Sequence, residues 1–207
     1  MPSLRELRAE FAALLLIDAA SSQVQVGWLT ASKDCWQSSA EEAGIGVFTC
    51  VEALKVDLAA IDAFIFCEGP GSMLGIRTAG MALRTWNVIT TRPVYAYQSL
   101  AVVAHALGDT ELTLIADARR ESWHTFRVDG KLERVPVAAL TGRLATPAQF
   151  RNWSALPTET TRVPYTLSDL LVDVPDANLF RQTDAPDAFL HQEPSYVTWT
   201  PQIHRGP

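Results

Sequence analysis

The stretch FCEGPGSMLGIRTAG, Phe66 to Gly80, sets an apolar run against four glycines and a proline, and then against helix-forming residues. A strand that ends in such a loop and restarts as a helix is a unit of an α/β fold. Pro70-Gly71 suits the two central positions of a type II turn, because proline fixes φ and glycine accepts a positive one. Ser72 to Gly75 then lead into a helix start, where free N–H groups and the helix dipole favour an anion. Two readings follow, a tight structural turn or an anion site. The loop is not a Walker A sequence, which ends in GK[ST], and it is not GxGxxG. Ser72 is no nucleophile elbow, since Pro70 stands where GxSxG has its first glycine.

Outward from this loop the pattern alternates. AALLLIDAASSQVQVGWL reads as a buried strand ending at Asp18, a turn over Ala20 to Ser22, and a second strand with Val24, Val26 and Trp28 on one face. A weaker strand is expected near Trp36. A helix is expected from Ala40 to Lys55, with Val47, Val51 and Leu54 toward the sheet, although Gly44 and Gly46 each weaken it by about 1 kcal/mol. IDAFIFCE is a buried strand, the helix after the glycine loop runs from Ile76 to Ile89, RPVYAY is a strand, and Ser99 to Leu107 a short helix. LTLIADARRESWHTFRV then echoes the opening: strand, Asp117, turn, strand. Two related lobes are the expectation. After Val135 nine prolines leave room only for short elements, so the second lobe reads as reduced.

Composition narrows the classes. The 207 residues are 48% hydrophobic, enough for a large core without a metal or disulfide staple. The net charge of -6 disfavours a protein that itself grips nucleic acid, because that affinity comes from Lys and Arg displacing counterions. Cys35, Cys50 and Cys67 are an odd number without CxxC spacing, which reads as buried thiols in a reducing, cytoplasmic setting. His105, His124, His191 and His204 have no HxxxH or HExxH spacing, so no metal site is expected. The N-terminus does not read as a signal peptide, and no apolar run approaches transmembrane length. Ser3 and Glu6 can form a capping box for a leading helix.

GPGSMLGIRTAG resembles the GPGSFTGIRIG signature of the TsaB (YeaZ) family, a bacterial partner subunit in making threonylcarbamoyladenosine on tRNA. Asp18-Ala19 sits where that family has its opening IDT strand, and Asp117-Ala118-Arg119 where it has DAR. SLAVVAHA from Ser99 and EPSYV from Glu193 are similar to its later motifs. The resemblance implies an actin/Hsp70-like (ribonuclease-H-like) two-lobed α/β fold with a reduced second lobe. The divisions are a leader over 1–10, a first lobe over 11–108, and a second lobe with tail over 109–207. It implies a non-catalytic subunit that binds a TsaD-type catalytic partner, with a TsaE-type ATPase as a further partner. A homodimer is compatible with it, tRNA is met only through the complex, and no membrane is involved.

No cofactor is required by that reading; ATP or ADP with magnesium at a partner interface is the one it allows. The residues that would hold it are Asp18, Gly69, Gly71, Ser72, Gly75 and Asp117. The partner interface is assigned to the two helices flanking the loop, through Ile45, Phe48, Met81, Thr85 and Val88. The sequence departs from the family at Met73-Leu74 and at Ala19, where hydroxyl residues are usual. The rival function is a small ATP-dependent phosphotransferase using Asp18, Asp117 and the glycine loop. An older label of the family, glycoprotease, lacks any supporting Ser/His/Asp or metal spacing. Taken by themselves, Asp18 and Asp117 read either as a carboxylate pair or as caps on strand ends. Arg119-Arg120-Glu121 reads as a solvated turn, and Trp123, Trp153 and Trp199 as core or lobe-interface residues.

Overall fold

A computed structural model describes residues 1–189. It opens with α1 (Leu4–Glu10), where Ser3 accepts the Glu6 amide and Glu6 accepts the Ser3 amide, the capping box expected. The first half continues through β1 (Ala13–Asp18), β2 (Val24–Thr30), β3 (Asp34–Ser39), α2 (Ala43–Ala53), β4 (Ala63–Gly69), α3 (Met73–Ile89), β5 (Val94–Gln98) and α4 (Ser99–Leu107). The second half holds β6 (Leu112–Asp117), β7 (Ser122–Phe126), β8 (Glu133–Pro136), β9 (Arg143–Pro147), β10 (Thr161–Val163), α5 (Leu167–Asp173) and β11 (Arg181–Gln182).

The two sheets repeat one topology. The first runs β11-β5-β4-β1-β2-β3 and the second β10-β9-β6-β7-β8. In each, the first strand pairs antiparallel with the second and parallel with the fourth, and the fourth pairs parallel with the fifth. The echo around Asp18 and Asp117 therefore marks the same place in two ribonuclease-H-like sheets. The second lacks two of the first's helices: a 3-10 turn (Val137–Ala139) replaces the one between its third and fourth strands, and residues 148–160 replace the next one.

Burial follows strand position. β1 lies between β2 and β4, and its unbroken Leu14 to Ile17 run is fully buried, as a strand covered on both faces requires. On β2, Gln25 is buried along with Val24 and Val26, because the start of α5 covers its face. Trp36 lies flat over Gly27, where a Cβ would sit 2.7 Å from the ring. Helix α4 packs against both sheets and against α5, and residues 99 to 104 are all buried. A large core joins residues of both halves, and a small second cluster of Ile115, Trp123 and Leu144 lies in the second lobe.

Several boundaries differ from expectation. Helix α3 starts at Met73, three residues early, because Ser72 caps it through the Gly75 amide. Helix α2 starts only at Ala43, after an N-cap residue with no side-chain cap. Its buried side is Gly46, Val47 and Cys50, while Val51 and Leu54 are half-buried. The chain after α5 leaves the second sheet: β11 pairs with β5, Phe180 N–H bonds Pro2 O, and Phe189 N–H bonds Glu68 O. Residues 181–189 thus belong with the first lobe, against the division at 109. The EPSYV motif, His191, Trp199 and His204 lie outside the described residues. Among the described residues no helix is long and apolar enough to cross a membrane.

Candidate functional site

The glycine loop closes on its own chain. Gly71 has φ +154°, so the turn is not type II, whose third residue needs φ near +80°. The glycines are needed for close approach instead. A Cβ on Gly71 would lie 2.3 Å from Ala20 O, and one on Gly75 2.1 Å from Ala19 O. The loop crosses the β1–β2 turn, and Ser72 N–H donates to Ala20 O at 2.7 Å. Ser99 Oγ holds Pro70 O from α4 at 2.6 Å. Two amides that an anion would use are thereby committed: Ser72 N–H to Ala20 and Gly75 N–H to the Ser72 hydroxyl.

Asp18 is buried completely. Its Oδ1 accepts the Ala20 amide at 2.9 Å; its Oδ2 accepts the Tyr97 hydroxyl at 2.6 Å and the Tyr165 hydroxyl at 2.7 Å. Burial raises its pKa above the usual carboxylate value, against the opposing pull of Tyr97, Tyr165, the Ala20 amide and the Cys67 thiol. Beside it, Gln25 donates to Tyr165 O and accepts the Leu167 amide. Asp18 is therefore not offered to a ligand as the sequence suggested. It fastens β1 to β5 and to the segment after β10.

Asp117 holds the equivalent turn differently. It is half-exposed, and its Oδ1 accepts the Arg119 amide at 2.6 Å. Its Oδ2 accepts the amides of Trp153 and Ser154, both at 2.6 Å. Partial burial raises its pKa, but the amides of Arg119, Ser154 and Trp153 outweigh that and the net shift is downward. Both aspartates make the same bond to the amide two residues on, so both act as caps of strand ends. The β1–β2 turn also meets the second lobe directly, Ser22 N–H donating to Gln149 O at 2.9 Å.

Sequence reasoning missed Tyr97 and Tyr165, which lie 79 and 147 residues from Asp18 and carry no local signal. It also misplaced Trp153. Trp123 is fully buried, but Trp153 is 60% exposed, with the Arg119 guanidinium 4.6 Å and that of Arg151 5.3 Å from its ring centre. Among the described residues no group of three His, Cys, Asp or Glu side chains could hold a metal ion.

The five interface residues do share a surface. Ile45 and Phe48 of α2 and Met81 and Val88 of α3 are 56%, 49%, 58% and 87% exposed, and Thr85 is exposed beside them. A groove of about 350 Å³ between the helices is lined by Phe48, Arg77, Met81, Thr85 and Trp86. Phe48 stands edge-on to Trp86, which packs on core Phe64. Gly44 has nothing within 4 Å of its Cβ position, whereas Gly46 is filled by Val24 and residues 39–41. At Gly80 the chain's own Pro186 crosses α3, and Asp187 pairs with Arg77 and Arg84.

No protein-family model and no curated protein matches this sequence. Solved structures do. YeaZ from Pseudomonas aeruginosa matches with a TM-score of 0.59 at 20% identity, over 78% of this chain and 89% of its own. A second structure, described as an uncharacterized protein with similarity to peptidase YEAZ from Pseudomonas aeruginosa, matches with 0.58 at 19% identity and the same coverage. The chain has the YeaZ fold, an actin-like arrangement of two ribonuclease-H-like sheets.

Two outcomes follow from this geometry. Gly71→Val and Gly75→Ala should each cost about 2 kcal/mol or more, because the facing atoms are backbone. Ser72→Ala should cost about 1 kcal/mol, the value of one N-cap. Denaturant unfolding of the three variants would show the order; equal midpoints would remove the close-approach account. The aspartates should also oppose each other with pH. The raised Asp18 contributes stability that is present at acid pH and lost as pH rises from about 4 through its folded value, whereas the lowered Asp117 contributes stability that is lost as pH falls through its own. The stability gap between wild type and Asp18→Asn should shrink with rising pH, and that for Asp117→Asn should grow.

Proposed function

We propose that the protein is a TsaB-like non-catalytic subunit that docks a TsaD-type catalytic partner through α2 and α3 and supports threonylcarbamoyl transfer to adenosine of tRNA. The observation that carries this reading is the apolar surface of Ile45, Phe48, Met81 and Val88 around an open groove. Apolar side chains clustered in this way mark association surfaces. The YeaZ fold and the quoted loop signature supply the kind of partner. A TsaE-type ATPase, and ATP or ADP with magnesium at a subunit interface, belong to the same proposal, as does the cytoplasmic location.

The rival phosphotransferase would present carboxylates to a substrate. Asp18 and Asp117 instead spend their oxygens on their own chain, and the loop amides named above are engaged.

The test is co-elution of the full chain with the TsaD-type protein of the same organism. Met81→Glu and Phe48→Glu should abolish the complex, leaving the melting temperature of Met81→Glu within about 2 °C of wild type, as for an exposed site. Unfolding by Met81→Glu would make this surface core. An intact complex in both variants would move the interface elsewhere. Magnesium-dependent ATP turnover that disappears in Asp18→Asn and persists in Met81→Glu would favour the phosphotransferase.

A further inference from the structure

The second lobe carries a built cationic–aromatic feature that the docking surface does not use. Arg119, Arg120 and Glu121 all have positive φ, 63°, 52° and 56°, a run that L-residues avoid. It persists because the surroundings fix it. Asp117 accepts the Arg119 amide, Ala118 N–H bonds Ser122 O, Ser122 N–H bonds Arg119 O, and Val137 N–H bonds Glu121 O. Arg134 braces the turn through Ala118 O at 3.3 Å. The same Asp117 carboxylate anchors the Trp153 backbone. One carboxylate therefore fixes both the arginine turn and the indole it carries.

The result is an exposed indole flanked by Arg119 and Arg151, with Arg120 in the same turn. Among the described residues none of these three guanidiniums has a carboxylate within ion-pair distance or donates to a carbonyl, whereas Arg5, Arg8, Arg77, Arg84, Arg143 and Arg181 form ion pairs and Arg92, Arg127, Arg134 and Arg162 donate to carbonyls. Of the nearby acids, Asp117 is occupied by three amides and Glu121 is the free negative charge of the turn. Aromatic rings beside unpaired guanidiniums suit a ligand that alternates flat rings with phosphates.

We infer that Trp153, Arg119, Arg120 and Arg151 form a contact site for a single-stranded nucleic-acid segment, bases stacking on the indole and guanidinium planes and phosphates meeting the arginines. The protein's charge of -6 makes this a local, weak contact, one that adds to the hold of a larger assembly. It lies on the second lobe and needs no partner on α2 and α3, so it stands or falls independently of that interface.

The test uses the isolated full chain with fluorescein-labelled 12-nucleotide single strands of RNA and of DNA, a duplex of the same sequence, and a poly-glutamate peptide. Single strands should bind with a dissociation constant of about 0.1 mM at low salt. Three phosphate contacts predict a slope of log K against log salt of about -2, since each contributes about -0.7 on a single strand. Trp153→Ala should weaken binding about tenfold, and Trp153→Phe should restore most of it. Arg119→Ala and Arg151→Ala should each lower the slope by about 0.7. A preference for RNA over DNA would assign the ligand to RNA, and equal binding would assign it to the phosphates and bases alone. Absence of binding, equal binding of poly-glutamate, or binding indifferent to Trp153→Ala in a protein with wild-type melting would overturn the inference.

Discussion

The Asp18 carboxylate, buried and held by two tyrosine hydroxyls, is the constraint on which the rest of the molecule depends. A carboxylate taken from water costs several kcal/mol unless its lone pairs are filled. Here they are filled from three places: the adjacent turn through Ala20, the first sheet's β5 through Tyr97, and the second lobe through Tyr165. Separating the lobes would break the Tyr165 bond and admit water to the carboxylate, and the raised pKa of Asp18 records that burial costs its ionised form more than the three hydrogen bonds return. Gln25, one strand over, repeats the bond across the lobes with a neutral amide.

The two halves answer one topological problem with different chemistry. In both, the chain leaving the fourth strand must be fixed to the first hairpin. In the first lobe it is fixed by backbone, Ser72 N–H to Ala20 O, which demands that Gly71 and Gly75 have no side chain. In the second, the chain leaving β9 is fixed by a side chain, Asp117 to the amides of Trp153 and Ser154, which reaches farther and demands no glycine. The first solution buries its aspartate and lets a helix begin at once. The second leaves its aspartate half-exposed and ionised and replaces a helix with an irregular loop. The signature glycines appear in one lobe only for this reason.

What the sequence made legible follows from range. Strand and helix positions through Leu107 were readable because β1 and β4 are unbroken apolar runs bounded by turn residues and α3 buries one face at helical spacing. The capping box at Ser3 and Glu6 was readable because both partners are three residues apart. The exposed stripe of Ile45, Phe48, Met81, Thr85 and Val88 was readable because helical geometry separates it from Val47, Ile76 and Leu83. Side-chain partnerships across the fold were not. Nothing local to Tyr165 tells of Asp18, and nothing local to Trp153 tells of Arg119. The return of residues 181–182 to β5 was hidden too, since a two-residue edge strand has no period.

The bonds between the lobes bear on what the fold is used for. An enzyme that works between two lobes needs them to part and close around its substrate. Here the turn after Asp18 is bonded to the second lobe by Ser22 and Gln149, the strand beside it by Gln25, and the carboxylate itself by Tyr165. Opening would break all of these together, at about 1 kcal/mol for each neutral bond and more for the charged one. The α2 and α3 surface carries no such restraint; apart from the ties at Arg77, Arg84 and Gly80, its apolar side chains face outward on a helix pair braced by the core. Ties between the lobes and an outward apolar face on α2 and α3 suit the proposed docking role better than the rival phosphotransferase.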